Sequence, residues 1–527
     1  MKKFKNSPWL QSPRLEIVIM VSSVILAFFG LAILSAVPQE FPEGSMTTST
    51  VALITFAFFM LSVAIALISV IAGIGGGVIF TPVMLAFTSV NSVIVRGAGL
   101  IVAMFSGLIS TGIFIKKGLC NYKLSLVMTL SQSVGALLGA TAAIAVAENS
   151  GVTGEALMRV ALGLILCALA VYFFVGGNKL NNPVVNDGDI SKFTKSFGFE
   201  SSYFEESEGK VYQYKAKRAF LGIILIFVVG LIGGFFGMGG GWAITPVLNM
   251  GMGLPLKVAA ANSGVILGIA NCVSTWKYIF NASIIPLFAL PWLAGQVIGG
   301  FIGSYALAKI KVKTVRTLLI GVMFFTAFGL VTKGLALLGL MTNPSGAVQL
   351  LVFLGILIAV CVVILMDKKK EQEAAEAKGE PIKVMDIIEP PKVNLPLSHK
   401  VYADVVHWVT LVVSVAALFV PIAILINPSA NYVNPNTVFG LIFAGEKAST
   451  IWAASATGAF AGAHCYLNGL AQPDAIAQLV INIGVAVGLW ATVPAVLIQL
   501  FKEKDVKYAG LGIVFSALVV LAMVGII

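Results

Sequence analysis

Eleven residues beginning at Gly73 return almost unchanged at Gly237, in the middle of strongly apolar sequence. Gly73-Ile74-Gly75-Gly76-Gly77-Val78-Ile79-Phe80-Thr81-Pro82-Val83 is matched by Gly237-Met238-Gly239-Gly240-Gly241-Trp242-Ala243-Ile244-Thr245-Pro246-Val247, with seven of the eleven positions identical. A segment inside a bilayer must satisfy its own backbone polar groups. A Gly cluster followed by Pro is therefore tolerated only where neighbouring protein or a water-lined cavity takes up the freed groups. Paired breaks of this kind point to a transporter's binding site. The offset of 164 residues holds without a gap for about seventy residues: Ser110-Thr111 falls on Ser274-Thr275, Gln132 on Gln296, Gly135 on Gly299 and Gly139 on Gly303. Such an ungapped register reads as gene duplication.

Composition agrees. Of 527 residues, 58% are hydrophobic and 11% charged, against about a quarter charged in soluble domains. Apolar runs near the length that crosses a bilayer, about 20 residues, recur at Ile17–Val37, Val51–Ala72, Ala156–Val175, Leu221–Phe236, Leu350–Met366 and Val409–Ile426. The chain is expected to be an all-α, polytopic transmembrane helical bundle in the inner (plasma) membrane, with internally duplicated, Gly-broken helices. In a soluble protein the net charge of +11 would suggest nucleic acid. Here the basic residues cluster in short loops beside spans, where they set orientation, and no nucleic acid is implied. Met1-Lys2-Lys3-Phe4-Lys5 and Arg14 precede a first run that reads as an uncleaved span with a cytoplasmic N-terminus. Cys120, Cys167, Cys272, Cys361 and Cys465, and His399, His407 and His464, are scattered without metal-ligand spacing. No disulfide framework, metal or cofactor is expected.

The repeat sets the organisation: an N-terminal span and external loop over 1–50, a first transmembrane repeat over 51–176, a linker over 177–218, a second repeat over 219–366, a charged linker over 367–400, and a C-terminal membrane segment over 401–527. Both linkers mix acidic and basic residues and read as solvated cytoplasmic tethers. Lys116-Lys117 with Lys123, Lys215-Ala216-Lys217-Arg218, the group Lys309, Lys311, Lys313 and Arg316, and Asp367-Lys368-Lys369-Lys370 mark cytoplasmic loops. Val37–Thr50, Ala147–Glu155 and Met341–Ala347 lack basic residues and read as external. On that count each repeat makes an odd number of passes and the two lie inverted; a re-entrant glycine segment would reverse the parity. Gly135 with Gly139, and Gly299 with Gly303, have the spacing that lets helices approach closely. Beyond Lys400 come three more spans, Val401–Ile426, Ala475–Leu500 and Tyr508–Ile527, around a less apolar stretch, Val438–Leu470. No copy of the glycine motif occurs there.

A small anion held near the midplane needs hydrogen-bond donors, and helix N-termini offer free N–H groups at the positive end of the dipole. Gly accepts φ > 0 and leaves no side chain in the way. A Pro a few residues later fits the first turn of a resuming helix. The candidate binding residues are Gly75, Gly76, Gly77, Thr81 and Pro82 in one copy and Gly239, Gly240, Gly241, Thr245 and Pro246 in the other, facing each other across a pseudo-symmetry axis. Ser110, Thr111, Asn262, Ser263, Asn271, Ser274 and Thr275 on the following helices can ligate anion oxygens, although such residues also serve as interhelical packing. Gln132 and Gln296 stand out because both copies keep an amide within an apolar span. Arg96 and Lys277 lie near span ends, from which long cationic chains reach out to the interface. No Asp or Glu falls mid-span in the repeats to form a proton relay.

These residues resemble the sulfite exporter TauE/SafE family of anion permeases. The resemblance is carried by the paired Gly-x-Gly-Gly-Gly with its following Pro, by Gly253-Leu254-Pro255-Leu256-Lys257-Val258-Ala259, by Asn262-Ser263, and by Ile115-Lys116-Lys117-Gly118. It covers about Val51 to Met366. It implies a secondary transporter for sulfur-containing anions such as sulfite, sulfoacetate or other sulfonates. The first copy departs from the pattern: Ala98-Gly99 stands opposite Asn262-Ser263, and Arg96 opposite Ala260.

The expected function is a permease for small sulfur-containing anions, working by alternating access without covalent chemistry, and not an enzyme. Its partners are a small anionic substrate and the bilayer, with self-association into a homo-oligomer left open. Two other readings stay open. One is a transporter of another small anion or carboxylate. The other is a membrane enzyme or assembly component acting through the C-terminal segment, where His464, Glu446, Lys447 and Asp474 are loosely spaced.

Overall fold

A computed structural model describes residues 13–35, 45–149, 151–176, 190–205, 210–309, 312–342, 395–455 and 458–527, with a few isolated positions besides. The expected span Leu350–Met366, most of the linker over 367–400, Cys361 and the basic N-terminus lie outside them. Among the described residues, ten helices are long and apolar enough to cross a membrane, or up to eleven if a bent pair counts as one span. The protein is a polytopic helical bundle in the cell membrane.

Two helices form its axis, α4 (Ser92–Lys116) and α10 (Leu256–Phe280). Almost every residue of α4 is buried, so this span meets protein rather than lipid on all sides. The two cross at glycines: a Cβ on Gly107 would run into the Gly264 carbonyl, and one on Gly268 would lie 2.8 Å from the Leu108 nitrogen. Small residues at such a crossing let backbones touch, which is the main source of helix association where lipid is as apolar as leucine. Around the axis, α5 (Tyr122–Asn149) packs on α8 (Ala219–Phe236), and α11 (Pro286–Lys309) packs on α2 (Thr48–Ala72). The GxxxG positions make these contacts. Gly135 and Gly139 face the carbonyls of Phe227 and Leu231, while Gly299 and Gly303 face those of Val63 and Leu67. Each pair repeats the other at an offset of 164. α6 (Gly151–Gly176) and α12 (Val312–Leu337) pack together outside this group.

Two local expectations change. Most of the loop expected over Ala147–Glu155 is helical, because α5 runs to Asn149 and α6 begins at Gly151. The linker over 177–218 contains structure as well as tether: a short helix, α7 (Lys192–Phe197), and an antiparallel hairpin of β1 (Glu200–Glu205) and β2 (Lys210–Lys215). Alternating aromatic residues favour a half-buried strand, and Tyr203 and Tyr214 are buried. The stretch Val438–Leu470 holds only short helices among its described residues.

The C-terminal segment is joined to the axis. α13 (Leu397–Ile426) packs against α4 and α11, and binds α1 (Pro13–Ser35) through His407 Nε2 and Glu16 at 3.2 Å. α14 (Pro435–Phe443) and α15 (Ala448–Ala453) lead to α16 (Pro473–Val485) and α17 (Val487–Ile498), where the chain bends by 41° between Pro473–Val485 and Val487–Glu503. α18 (Val506–Val524) closes the chain. His464 fixes this segment to the second half: its ring nitrogens meet Tyr466 Oη and the Met523 carbonyl, both at 2.8 Å, and its ring lies 5.5 Å from Trp276.

Candidate functional site

The two glycine breaks have the same backbone. α2 ends at Gly73 (φ 67°), Gly75 is also left-handed (φ 73°), and α3 (Gly77–Phe87) resumes. α8 ends at Gly237 (φ 67°), Gly239 follows (φ 68°), and α9 (Gly241–Pro246) resumes. Only Gly takes these φ values without a steric penalty. The other glycines answer to space. A Cβ on Gly77 would lie 2.7 Å from the Met238 carbonyl, and one on Gly241 would strike that of Ile74. The breaks therefore touch backbone to backbone, at positions again 164 apart.

Thr81 and Thr245 join them. Thr81 Oγ1 donates to the Gly237 carbonyl at 2.7 Å, and Thr245 Oγ1 donates to that of Gly73 at 2.8 Å. Each threonine thus caps the break of the other half. The prolines sit later than expected. Pro82 is the sixth residue of α3 and Pro246 the last of α9, and beyond Pro246 the chain loosens into a π turn over Val247–Gly251. Past the first turn a Pro withholds an N–H from the helical ladder, so these positions weaken the helices instead of starting them.

The contact between the breaks fills the space expected to lie between two donor rows, and the polar chemistry lies beside it. Each half's glutamine covers the other half's break. A Cβ on Gly240 would lie 2.5 Å from Gln132 Nε2, and one on Gly76 would collide with Gln296 Oε1. Both glutamines are fully buried, but they are held differently. Gln296 Nε2 donates to the carbonyl and hydroxyl of Ser62, each at 3.0 Å, leaving Oε1 without a partner. The position 164 residues after Ser62 is Ile226, and neither Gln132 Nε2 nor Oε1 has a partner. At the first break the Gly76 N–H is taken by Ser106 Oγ at 3.1 Å. At the second, Asn271 lies against Gly239, its Nδ2 2.7 Å from where a Cβ would be, and both its amide atoms are unpartnered. Buried polar groups are normally satisfied, so two open carboxamides at one break set it apart.

The remaining candidates divide. Ser110 and Thr111 donate to Gly107 O at 2.8 Å each, and Ser274 and Thr275 to Asn271 O at 3.3 and 2.7 Å, all within their own helices. Asn262 braces the loop between α4 and α5: its Oδ1 accepts from Ser125 Oγ (2.9 Å) and the Asn121 N–H (3.1 Å), while Nδ2 donates to Val258 O (2.7 Å). Burial in that loop pushes the Cys120 thiol up to about 12. Ser263 is fully buried with an unpartnered hydroxyl. Arg96 does not reach the interface: it is 1% exposed, because α4 has no outward face. Lys277 is half-buried. Ser106 was not a sequence candidate, since its counterpart, Ala270, hides it from any search for paired polar positions.

A family model described as sulfite exporter TauE/SafE matches residues 58–330, and a separate family model matches residues 398–526. The probable membrane transporter protein YunE of Bacillus subtilis (strain 168) is 26% identical over 272 residues, covering 50% of this chain and 92% of that protein. No solved structure matches.

Proposed function

This chain belongs to the sulfite exporter TauE/SafE family, and we propose that the membrane transport it performs is of small sulfur-containing oxyanions, sulfite or an organosulfonate, by alternating access. The observation that carries this reading is the second break, where Gln132 and Asn271 present unpaired amides beside the glycine backbone. Among the described residues no hydrogen bond reaches the N–H of Gly240 or Gly241. Amide and backbone donors bind an oxyanion without burying a fixed counter-charge, whose desolvation is costly. Gln132, Asn271 and the Gly239–Gly241 backbone form the binding half-site. Gly75–Gly77, with Gln296 and Ser106, form its better-satisfied counterpart. The contacts paired at an offset of 164 support reading residues 51–176 and 219–366 as duplicated halves. Rocking one half against the other would separate Gly77 from Met238 and Gly241 from Ile74, admitting the anion.

The test is flux in proteoliposomes holding the purified full-length chain, with labelled sulfite, sulfonates and carboxylates, with and without a pH gradient. Saturable sulfite or sulfonate flux, reduced by Gln132→Ala, is expected. Carboxylate flux alone would assign the site to another anion class, and no flux of any anion would end the proposal. Gly76→Val is a poor probe, because its side chain would strike Gln296 and Val102 and unfold the break whatever the break binds.

A further inference from the structure

Arg96 is a fully buried guanidinium on a span, and such a group ordinarily has a carboxylate or several carbonyls around it. Here Nη2 meets the Met158 sulfur at 3.2 Å, a weak acceptor, and the group lies 5.8 Å from the centre of the Phe235 ring. Nε and Nη1 have no partner. Next to Met158 on α6 stands Arg159, 4% exposed, which reaches the Leu85 carbonyl and Glu155 and leaves its own Nε unpartnered. Among the described residues Glu155 is the one carboxylate whose charge acts on Arg96, and it is already engaged by Arg159. Lys333 on α12 adds a third cation close enough to act on Arg159, and donates to the Thr88 carbonyl.

Three cations against one carboxylate leave a surplus of positive charge in a low-dielectric place, with N–H donors from two side chains unused. A neutral ligand would not offset that charge. A second arginine rules out a metal cation. A small oxyanion answers both needs, because guanidinium groups give oxyanions charge-assisted hydrogen bonds with directional specificity.

We propose that Arg96 and Arg159 hold a second anion site, where α4 meets α6 and α8, for a small oxyanion of the sulfite or sulfate type. The guanidinium site is distinct from the glycine breaks, although the Arg96 backbone abuts one of them: a Cβ on Gly237 would fall against the Arg96 Cα, Cβ and carbonyl. The counterpart of Arg96 is Ala260, so the site exists in one half only. It rests on the arginine geometry and not on the transport reading, so the two can fail separately.

The test uses the purified full-length chain in detergent, stripped of sulfate and phosphate, with inorganic sulfate and sulfite as probes. Equilibrium binding of labelled sulfate and the anion-dependent rise in melting temperature are the readouts. Wild type should bind saturably and be stabilised by both probes. Arg96→Gln should weaken binding by about tenfold or more and lose the anion-dependent rise, whatever its melting temperature without anion, while Arg96→Lys should regain part of it. A purely structural arginine would change the anion-free melting temperature and leave the rise intact, and that result overturns the proposal. So does a wild-type protein that binds neither probe. Should Arg96→Gln not fold, Arg159→Lys replaces it with the same expected direction. Anion binding lost in Arg96→Gln but kept in Gln132→Ala would support this site even in a protein that transports nothing.

Discussion

Gln132 and Gln296 occupy equivalent places in two halves of the same backbone, yet one is tied and the other is not. Ser62 holds Gln296, and Ile226, its counterpart, offers Gln132 nothing. The same division runs through the site. Ser106 satisfies Gly76 where Ala270 could not, Asn271 stands where the first half has Gly107, and Ser263 where it has Gly99. Backbone geometry is shared between the halves while side-chain satisfaction is not. The first break is thus the better satisfied, with only Gln296 Oε1 unpartnered, and the second leaves both amides of Gln132 and Asn271 without a protein partner.

The comparison is broken most severely by forcing the halves to match. At Gly99 a Cβ would strike Thr81 Oγ1 and the Gly237 carbonyl, so Gly99→Ser, copying Ser263, should cost about 3 kcal/mol or more. Little folded protein should survive detergent size exclusion, whereas Ser263→Gly should cost only about 1 kcal/mol. Equal yields from the two variants would show that the halves are not held as described.

The next effect is on transport. Gln132→Ala loses no protein hydrogen bond, so its melting temperature should stay near wild type while flux falls about ten- to a hundredfold, the worth of a hydrogen bond to a charged ligand. Gln296→Ala should do the reverse, losing about 1–2 kcal/mol of stability with its bonds to Ser62 and changing flux little. If the two exchanged roles, the open half-site would be the first. A smaller effect sharpens the point. Ser62→Ala removes one of the two bonds that hold the Gln296 amide and leaves the one to the residue-62 carbonyl. Placed in the Gln132→Ala background it should restore flux by about threefold, within the worth of one hydrogen bond, and no gain would mean that the first break does not bind even when its amide is partly released.

The smallest effect lies in the loop that only one half braces. With its thiol pushed up to about 12, Cys120 holds almost no thiolate at neutral pH and should resist maleimide there, since the thiolate is the reactive form. Asn262→Ala removes the brace and should raise labelling several-fold at unchanged transport. Rapid labelling of the unaltered protein would show that the loop is open without it.

The axis of this fold was legible in the sequence because its residues recur at a fixed offset. Gly73, Gly75, Gly237 and Gly239 needed left-handed backbone, and Thr81 and Thr245 were kept as a pair because each bonds the other's break. What was not legible depends on neighbours distant in the chain. Arg96 looked like a residue near a span end, but the elements around α4 leave it no interface to reach. Pro82 resembled a helix start until the helix proved to begin five residues earlier. Ser106 passed unnoticed because symmetry was the filter and Ser106 is where symmetry fails. The hairpin of β1 and β2 was concealed by the charges around it.

The reciprocal threonine bonds also bear on populations. Separating the two breaks releases both carbonyls, so both bonds are lost in any arrangement that parts them. At about 1 kcal/mol each, they favour the closed packing by about thirtyfold. That bias is enough to give these two contacts a say in the resting arrangement, and small enough that the binding energy of a single small ligand reverses it.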